Sequence, residues 1–447
     1  MKGSMLKFAL AGAAVVALPA GVSAQQGEGV IVVPPLAGVP SAAPGAVPAV
    51  QPVPVRTAPS WKVADARSLL LLIGGIDSEG LIPSDYDPQT LSAAIDAGEG
   101  AELDRTATRI FTWLIEDLRD GRTPMEARRQ WFVVDPDADL LPTDKVMREA
   151  LDARDIASVV QKLAPTNPDY AALRQALAET PKSNAKRVAT IRANMDRWRW
   201  LARDLGSQYL ITNVPEYQLR LTVNNENIRT YKTIVGKPGR TATPQLAEIV
   251  EGVVFNPTWT VPQSIVKGEG LGARVLNNPG WAKANGYTAT RGANGYVSVV
   301  QQPGPGNSLG MMKLDMPNEH AIFLHDTPSR HLFNSEGRAL SHGCIRTERA
   351  LELAITMAIL GKGASKDEAV AISTSGKYTK VALEKSFPVY ITYFTMGRDI
   401  NKELRTFSDI YGRDAPVLAS FEKPRVSNRA RETNEEVIVI EDDLRTT

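Results

Sequence analysis

The 447-residue sequence has a single cysteine, Cys344, and only four histidines. A single thiol excludes an intramolecular disulfide, so the fold has to rest on a buried apolar core. All four histidines lie close to the cysteine, at His320, His325, His331 and His342. Packing gives no reason to collect every imidazole around the only thiol, and this window is therefore the candidate functional region.

The sequence also lacks an excess of charge of either sign. Its 51 Lys and Arg residues nearly balance its 50 Asp and Glu residues, for a formal net charge of +1 at pH 7. Nucleic-acid binding rests on a basic surface, so this balance argues against a nucleic-acid partner. The segment "VGKPGR" lacks the glycine spacing and the Ser or Thr of a phosphate-binding loop. The segment is therefore not a phosphate-binding loop, and the function expected below needs no cofactor.

No segment has the run of about 20 apolar residues that a membrane-spanning helix needs. The apolar stretch "FALAGAAVVAL" is shorter, follows Lys2 and Lys7, and precedes the small residues "VSA" that end at Ala24. This pattern predicts a secretory signal peptide over residues 1–24 and an exported mature protein, with an uncleaved anchor as the alternative. Residues 25–60 are rich in proline and are expected to form an extended linker.

Residues 61–205 are expected to form a helical scaffold domain. Apolar side chains recur there at helical spacing, and a glycine follows as a stop signal. The clearest run consists of Leu103, Ala107, Ile110, Leu114 and Leu118, followed by Gly121. This region looks like a packed scaffold without a ligand site of its own.

Residues 206–413 differ from the helical region in composition and pattern. Short segments rich in β-branched and aromatic residues alternate with turn sequences, which predicts an antiparallel sheet or sandwich and hence the α+β fold class. The glycine-rich insertion at about 263–301 is expected to be disordered or a mobile lid. Residues 414–447 are strongly charged and are expected to form a largely unfolded polar tail.

The cysteine window has the residue types that nucleophilic catalysis needs. A thiol requires a base or a positive potential to become a thiolate, and His325 ends the apolar run "AIFLH" at an expected strand end. Cys344 is expected just ahead of a helix over 347–360, whose dipole favours negative charge. Gly343 allows a turn in which the amides of Gly343 and Cys344 point at an oxyanion. Arg346 is a candidate to hold a substrate carboxylate.

Each of these residues has a structural alternative. Cys344 could be buried and inert, and His342 could be a hydrogen-bonded residue that shapes the turn. His320 and His331 are expected at the surface. Arg346 could be a helix cap. The spacing of the histidines and the cysteine matches no zinc motif, so no metal is expected.

The pattern "HDTP…SHGCIR" resembles the signature of the YkuD-type L,D-transpeptidases. Three further segments resemble the larger YcbB-like subgroup of that family, namely "VVFNPTWTVPQSIV", "QQPGPGNSLGMMKLDMPN" and "FSDIYGRDAPV". The catalytic resemblance covers about residues 207–413, and the helical region before it looks like the scaffold domain of the subgroup. It implies a mainly-β catalytic sandwich in which the insertion at 263–301 is a capping subdomain.

The resemblance also implies the chemistry of the window. Cys344 would be the acyl-enzyme nucleophile and His325 its base, with a backbone carbonyl at or beside Asp326 orienting the ring. His342 and Gly343 would shape the oxyanion hole. The residues expected to bind substrate are Arg346, Asp326, Ser341 and Phe323.

The substrates implied by the resemblance are peptidoglycan stem peptides, in the periplasm. Cys344 would attack the amide between the L-centre of meso-diaminopimelate and terminal D-alanine, and a second diaminopimelate amine would resolve the thioester into a 3→3 cross-link. Carbapenem-type β-lactams would acylate the same thiol. Other cell-wall synthesis proteins are further candidate partners.

Two departures from the family pattern bear on recruitment and mechanism. Many members have Asn where this chain has Arg346, and larger relatives carry a peptidoglycan-binding module for which "AETPKSNAK" leaves no room. Two alternatives remain open. One is an L,D-carboxypeptidase or a hydrolase that cuts cross-links or protein–peptidoglycan links with the same Cys344–His325 pair, and the other is a non-catalytic wall-binding protein.

Overall fold

A computed structural model of the chain describes residues 59–133, 140–427, 430–437 and 439. The predicted signal peptide at 1–24 and all of the predicted linker except its last two residues lie outside the described residues. No helix in the described part of the chain is long and apolar enough to cross a membrane.

Helices dominate the described chain before the first strand. The apolar run from Leu103 to Leu118 is buried along one long helix, and Gly121 follows that helix with a φ of 86°, so the predicted helix and its stop signal are confirmed. The α-helices of this region are α1 (Val63–Gly74), α2 (Pro88–Ala97), α3 (Ala101–Asp120), α4 (Thr143–Ala153), α5 (Ile156–Gln161), α6 (Pro168–Glu179) and α7 (Ala185–Trp198).

Strands dominate the chain from residue 208 onwards, with α-helices placed between some of them. The strands are β1 (Gln208–Asn213), β2 (Gln218–Val223), β3 (Glu226–Gly236), β4 (Leu246–Phe255), β5 (Trp259–Thr260), β6 (Tyr287–Arg291), β7 (Val297–Gln301), β8 (Met312–Asp315), β9 (Leu324–His325), β10 (Ala339–Ser341), β11 (Ile345–Thr347), β12 (Thr379–Thr392), β13 (Met396–Arg398) and β14 (Leu404–Thr406). The helices are α8 (Gln263–Gly268), α9 (Leu271–Asn277), α10 (Pro279–Ala284), α11 (Ala350–Leu360), α12 (Lys366–Thr374) and α13 (Asp414–Phe421).

The main sheet is mixed, and its ladder closes on itself. The strand order is β10-β3-β11-β9-β8-β4-β12-β1-β2, and β2 pairs again with β3. The pairs β1–β12, β3–β10 and β9–β11 are parallel, so the prediction of an antiparallel sheet is wrong for these pairs. The reason is that long connections, such as the loop between β9 and β11, let a strand return in the same direction. The α+β fold class is confirmed.

One face of the sheet is packed with apolar side chains and covered by α11. Leu314 on β8, Leu324 on β9 and Ile345 on β11 are fully buried there with Leu353 and Met357 of the helix. Because side chains alternate along a strand, the residues on either side of these three point to the opposite face. This alternation decides which side chains line the candidate site.

The insertion at 263–301 is folded, not disordered. It contributes α8, α9 and α10 and two strands of a three-stranded sheet, β5-β7-β6. Trp259, Val266 and Val299 form part of its own apolar core, so the unit begins before residue 263. Its glycine content had suggested a disordered segment or a lid, but enough β-branched and aromatic residues remain to bury a small core.

The chain beyond Arg413 returns to the helical region, so the prediction of an unfolded tail is wrong for its described part up to residue 427. It forms α13 and then places Arg425 against the carboxylates of Asp117 and Glu116, at 2.9 and 2.8 Å. The Arg425 side chain is only 3% exposed and that of Asp117 is fully buried. This clasp joins residues that are about 300 positions apart.

Replacing Arg425 by Met should lower the free energy of unfolding by about 3 kcal/mol, because one partner of a buried ion pair is left without its counter-charge. Urea unfolding followed by circular dichroism measures this. Arg405→Met is the matched control, because Arg405 is 58% exposed and pairs with the exposed Glu403; it should cost less than about 1 kcal/mol. Equal losses in the two variants would show that the clasp adds no more stability than an exposed ion pair.

Candidate active site

Three neighbouring strands place a row of basic side chains on one face of the sheet. Lys313 of β8 is the register partner of His325 on β9, and His325 is the register partner of Arg346 on β11. Register partners point to the same face of a sheet, and the apolar core takes the alternate residues of these strands. The imidazole therefore lies between an ammonium on one side and a guanidinium on the other.

Cys344 directly precedes β11 and joins the same face. The Ile345 amide donates to the Phe323 carbonyl at 3.1 Å, and Ile345 is in register with Leu324, so Cys344 lies level with Phe323. His325 is two positions further along the chain than Phe323. Residues on adjacent strands that are offset by two positions have Cα atoms about 7–8 Å apart, a separation that the side chains of Cys and His can bridge. The register thus brings Cys344 and His325 to one face.

The thiol is closed off from solvent. Cys344 has no exposed surface, and its Sγ donates to the Ala321 carbonyl at 3.6 Å. Ala321 has a φ of 55°, a left-handed conformation that costs a non-glycine residue about 1 kcal/mol or more. Strained backbone persists where surrounding contacts hold it. The Asn318 side chain holds the backbone at this point. Its Oδ1 accepts from the Ile322 backbone amide at 3.1 Å, and its Nδ2 donates to the Ile322 backbone carbonyl at 2.7 Å.

His325 is held in its neutral form. Burial, reinforced by the positive charges of Arg346 and Lys313, lowers the pKa of His325 from its ordinary 6.5 to about 3. A hydrogen bond between the ring and the Asp326 backbone opposes this shift but does not cancel it. The Phe323 ring packs beside the imidazole with ring centroids 5.3 Å apart. At neutral pH the ring is therefore unprotonated.

The loop 341–344 is shaped by its own hydrogen bonds. The Ser341 hydroxyl donates to the Cys344 carbonyl at 2.7 Å and accepts from the Gly343 amide at 3.1 Å. Gly343 has a φ of 125°, which residues with side chains rarely adopt. Since its amide is engaged by Ser341, the expectation that the Gly343 amide faces an oxyanion is wrong in this conformation. Ser341 likewise shapes the loop.

The helix-dipole expectation for Cys344 is also wrong. Strand β11 intervenes between Cys344 and α11, which begins at Ala350 with Arg349 as its N-cap. The effect of a helix dipole fades beyond the first turn. The nearby positive charges are instead those of Lys313 and Arg346. Because Arg346 lies within β11, its alternative as a helix cap is excluded as well.

Thr243 connects the loop 341–344 to the end of β3. Its hydroxyl donates to the Gly343 carbonyl at 2.7 Å and accepts from the Gly236 amide at 2.9 Å, and the residue is fully buried. Tyr411 donates to the Gly236 carbonyl at 2.5 Å, and Arg413 donates to the Thr243 carbonyl at 3.0 Å. The segment "FSDIYGRDAPV" thus supports the cysteine loop.

Asp326 has a positioning role. Its carboxylate, 2% exposed, accepts from the Met311 amide at 2.9 Å and from Arg330 at 3.2 Å. A Cβ on Gly310, which has a φ of 62°, would lie 2.4 Å from this carboxyl group. Because the side chain is committed within the protein, Asp326 does not present it to a substrate; only its backbone contacts His325.

Arg346 has the features of a ligand-binding group. The residue is 2% exposed, and its Nε and Nη1 have no hydrogen-bond partner within the described part of the chain. A buried guanidinium without a counter-charge costs free energy that an anionic ligand offsets. His342 is half-buried within the loop 341–344, and Phe323 is half-buried between the sheet core and the core of the insertion.

The other two histidines lie outside this constellation. His331 is exposed as predicted, but His320 is 4% exposed and packs against Phe132 with ring centroids 4.2 Å apart, so its prediction as a surface residue is wrong. Among the residues that the structure describes, no three His, Cys, Asp or Glu side chains converge as a metal site requires.

Sequence reasoning missed Lys313, Thr243 and Ala321. Lys313 had a signal, because in "MMKLD" it alternates with apolar residues and so points away from the core. Thr243 and Ala321 carried no such signal, since their roles depend on contacts with loops that are distant in sequence.

Comparison with known families decides what kind of domain holds this site. Residues 207–391 match the family described as the L,D-transpeptidase catalytic domain, YkuD. The chain carries a YkuD domain. Residues 56–177 match a second family, described as a scaffold domain. The match to the YkuD family supports a peptidoglycan-modifying enzyme, whereas the YcbB-like subgroup stays a prediction.

Individual relatives of the YkuD domain are distant. A Haemophilus influenzae protein named "Putative L,D-transpeptidase" is 26% identical over an alignment of 384 residues, which covers 81% of this chain and 77% of that protein. A solved L,D-transpeptidase from Mycobacterium smegmatis is 14% identical, with a TM-score of 0.21, over 42% of this chain and 58% of its own. L,D-transpeptidase 1 of Mycobacterium tuberculosis is 13% identical, with a TM-score of 0.19, over 42% of this chain and 61% of its own.

Replacing Thr243 by Val should lower the free energy of unfolding by about 2 kcal/mol, because the buried Gly343 carbonyl and Gly236 amide both lose their partner. Urea unfolding measures the loss, and hydrogen exchange should show faster exchange across 341–344. Thr241→Val is the control, because the Thr241 hydroxyl makes only a 3.3 Å bond to the Lys237 carbonyl. A T243V protein as stable as T241V would exclude the anchoring role.

The depressed pKa of His325 predicts a specific loss of stability in acid. The folded protein keeps the ring neutral, whereas the unfolded chain protonates it below pH 6.5, so unfolding takes up a proton between pH 6.5 and about 3. Stability should fall with decreasing pH by up to about 1.4 kcal/mol per pH unit in this window. Urea midpoints at pH 7 and pH 5 should therefore drop less in His325→Gln than in the wild type. Parallel drops would contradict a buried neutral ring.

Proposed function

We propose that the protein is a periplasmic cysteine L,D-transpeptidase that forms 3→3 cross-links between peptidoglycan stem peptides. The observation that carries this proposal is the placement of Cys344 and His325 on one face of a YkuD domain by the register of β9 and β11. The signal-peptide pattern of the sequence supports the periplasmic location. Arg346 supports an anionic substrate.

In the first half-reaction, His325 takes the proton of the Cys344 thiol as the sulfur attacks the carbonyl carbon at the L-centre of diaminopimelate. The tetrahedral oxyanion collapses, the C–N bond breaks, and His325 gives the proton to the departing amine of D-alanine. A thioester on Cys344 remains. The neutral state of the His325 ring suits this step, because a protonated ring could not accept the thiol proton.

In the second half-reaction, the side-chain amine of another diaminopimelate attacks the thioester carbonyl and passes a proton to His325. The C–S bond breaks, and the sulfur regains its proton from the ring.

Incubation with purified tetrapeptide muropeptides tests the proposal. The wild type should form 3→3 dimers, detected by liquid chromatography and mass spectrometry, and Cys344→Ala should form none. His331→Ala, at an exposed position outside the site, should keep full activity. Dimer formation by C344A would exclude the mechanism, whereas tripeptide monomers from the wild type would assign hydrolysis in place of transfer.

A further inference from the structure

Lys313 is a cation of the candidate site on the side of His325 opposite Arg346. It lies beside His325 in the register of β8 and β9, and its Nζ lies 4.0 Å from the centroid of the Phe323 ring. The residue is half-buried. Throughout the described part of the chain, no hydrogen bond or ion pair engages its ammonium group.

The charges around Lys313 leave this ammonium without a committed partner. Asp315 lies two residues further along β8, but its carboxylate pairs with Lys380 at 2.5 Å. Burial lowers the pKa of Lys313, and charges on Cys344 and Asp315 oppose the shift. His325 and Arg346 are the remaining titratable or charged groups of the row, and neither is anionic. A half-buried cation in such surroundings is stabilised by an anion that arrives with a ligand.

The position of Lys313 indicates which anion this is. In the proposed reaction His325 protonates the departing amine, so that nitrogen lies next to the imidazole. The carboxylate of a terminal amino acid is two bonds from its own nitrogen. Lys313 is directly opposite His325, with about 5 Å between their Cα atoms. Arg346 lies on the far side of the imidazole and is left for another part of the donor.

We infer that Lys313 is a positioning and specificity-determining residue, which binds the free carboxylate of the amino acid that leaves from the donor stem. This inference rests on the proposed function. It means that the enzyme selects donors in which a single residue with a free carboxylate follows the scissile bond. Stems that are amidated at that carboxylate, or extended by a further residue, lose the ion pair with Lys313.

The Cys344→Ala background tests this inference without any reaction. Two tetrapeptide stems are compared by calorimetry, identical except that one ends in a carboxylate and the other in a carboxamide. C344A should bind the acid about tenfold more tightly or better, as a charge-assisted contact to a half-buried group warrants. C344A/K313M should bind both ligands with the weaker affinity. C344A/K313R should keep a preference for the acid.

The control for lost charge is C344A/K377M, because Lys377 is exposed in a turn outside the site and its removal should leave the preference unchanged. Thermal unfolding checks that K313M is folded, and K313R tests the charge should K313M not fold. Equal affinities of C344A for acid and amide, or a preference that survives in K313M, would overturn the role of Lys313 while leaving the proposed function intact. Failure of C344A to bind either stem would count against both.

Alkylation of Cys344 by iodoacetamide reports on the charge next to the thiol. Because Lys313 and a charged Cys344 interact, the pH dependence of the alkylation rate should change in K313M, and the loss of the preference for the acid stem is the result that assigns Lys313 to the leaving carboxylate. An apparent thiol pKa that rises in K313M, together with equal loss of affinity for acid and amide stems, would assign Lys313 to the thiol and overturn the inference.

Discussion

The register of three short strands is the constraint on which the candidate site depends. β9 and β11 run parallel and β8 runs antiparallel to β9, so one lateral row carries Lys313, His325 and Arg346. A shift of one residue in any of these strands would exchange the polar row for core residues. The apolar alternate positions fix the register, because Leu314, Leu324 and Ile345 lose their burial in any other pairing.

Support for this arrangement comes from parts of the chain far from the row. Thr243 connects the cysteine loop to β3, and Tyr411 and Arg413 hold Thr243 and its neighbours. Arg413 also stacks over Tyr393 and Tyr411, at 4.9 and 4.8 Å from the ring centroids. A further apolar core is shared between the helical region and the sheet, with Trp198 stacked on Phe394 at 4.5 Å. The helical region therefore buttresses the sheet that carries the site.

Patterns of neighbouring residues in the sequence predicted the helices and strands, because these elements depend on contacts that are close in sequence. The periodicity of 103–118 gave a helix, the alternating segments gave strands, and His325 was expected at a strand end, where it lies. Features that depend on pairing between distant segments were missed. The parallel strands, the strand that separates Cys344 from α11, and the return of Arg425 to Asp117 each require knowledge of which segments meet. The roles of the site residues themselves stay predictions.

The Arg425–Asp117 clasp has a consequence for how the chain is made. Its partners are 308 positions apart, and Arg122 reaches the Ser420 carbonyl over 298 positions. Contacts of such long sequence separation form late, because a large loop has to be closed first. The native arrangement is thus out of reach until nearly the whole polypeptide has emerged. Earlier helices can pack as they emerge, but the join between the helical region and the C-terminal segment closes only at the end of synthesis.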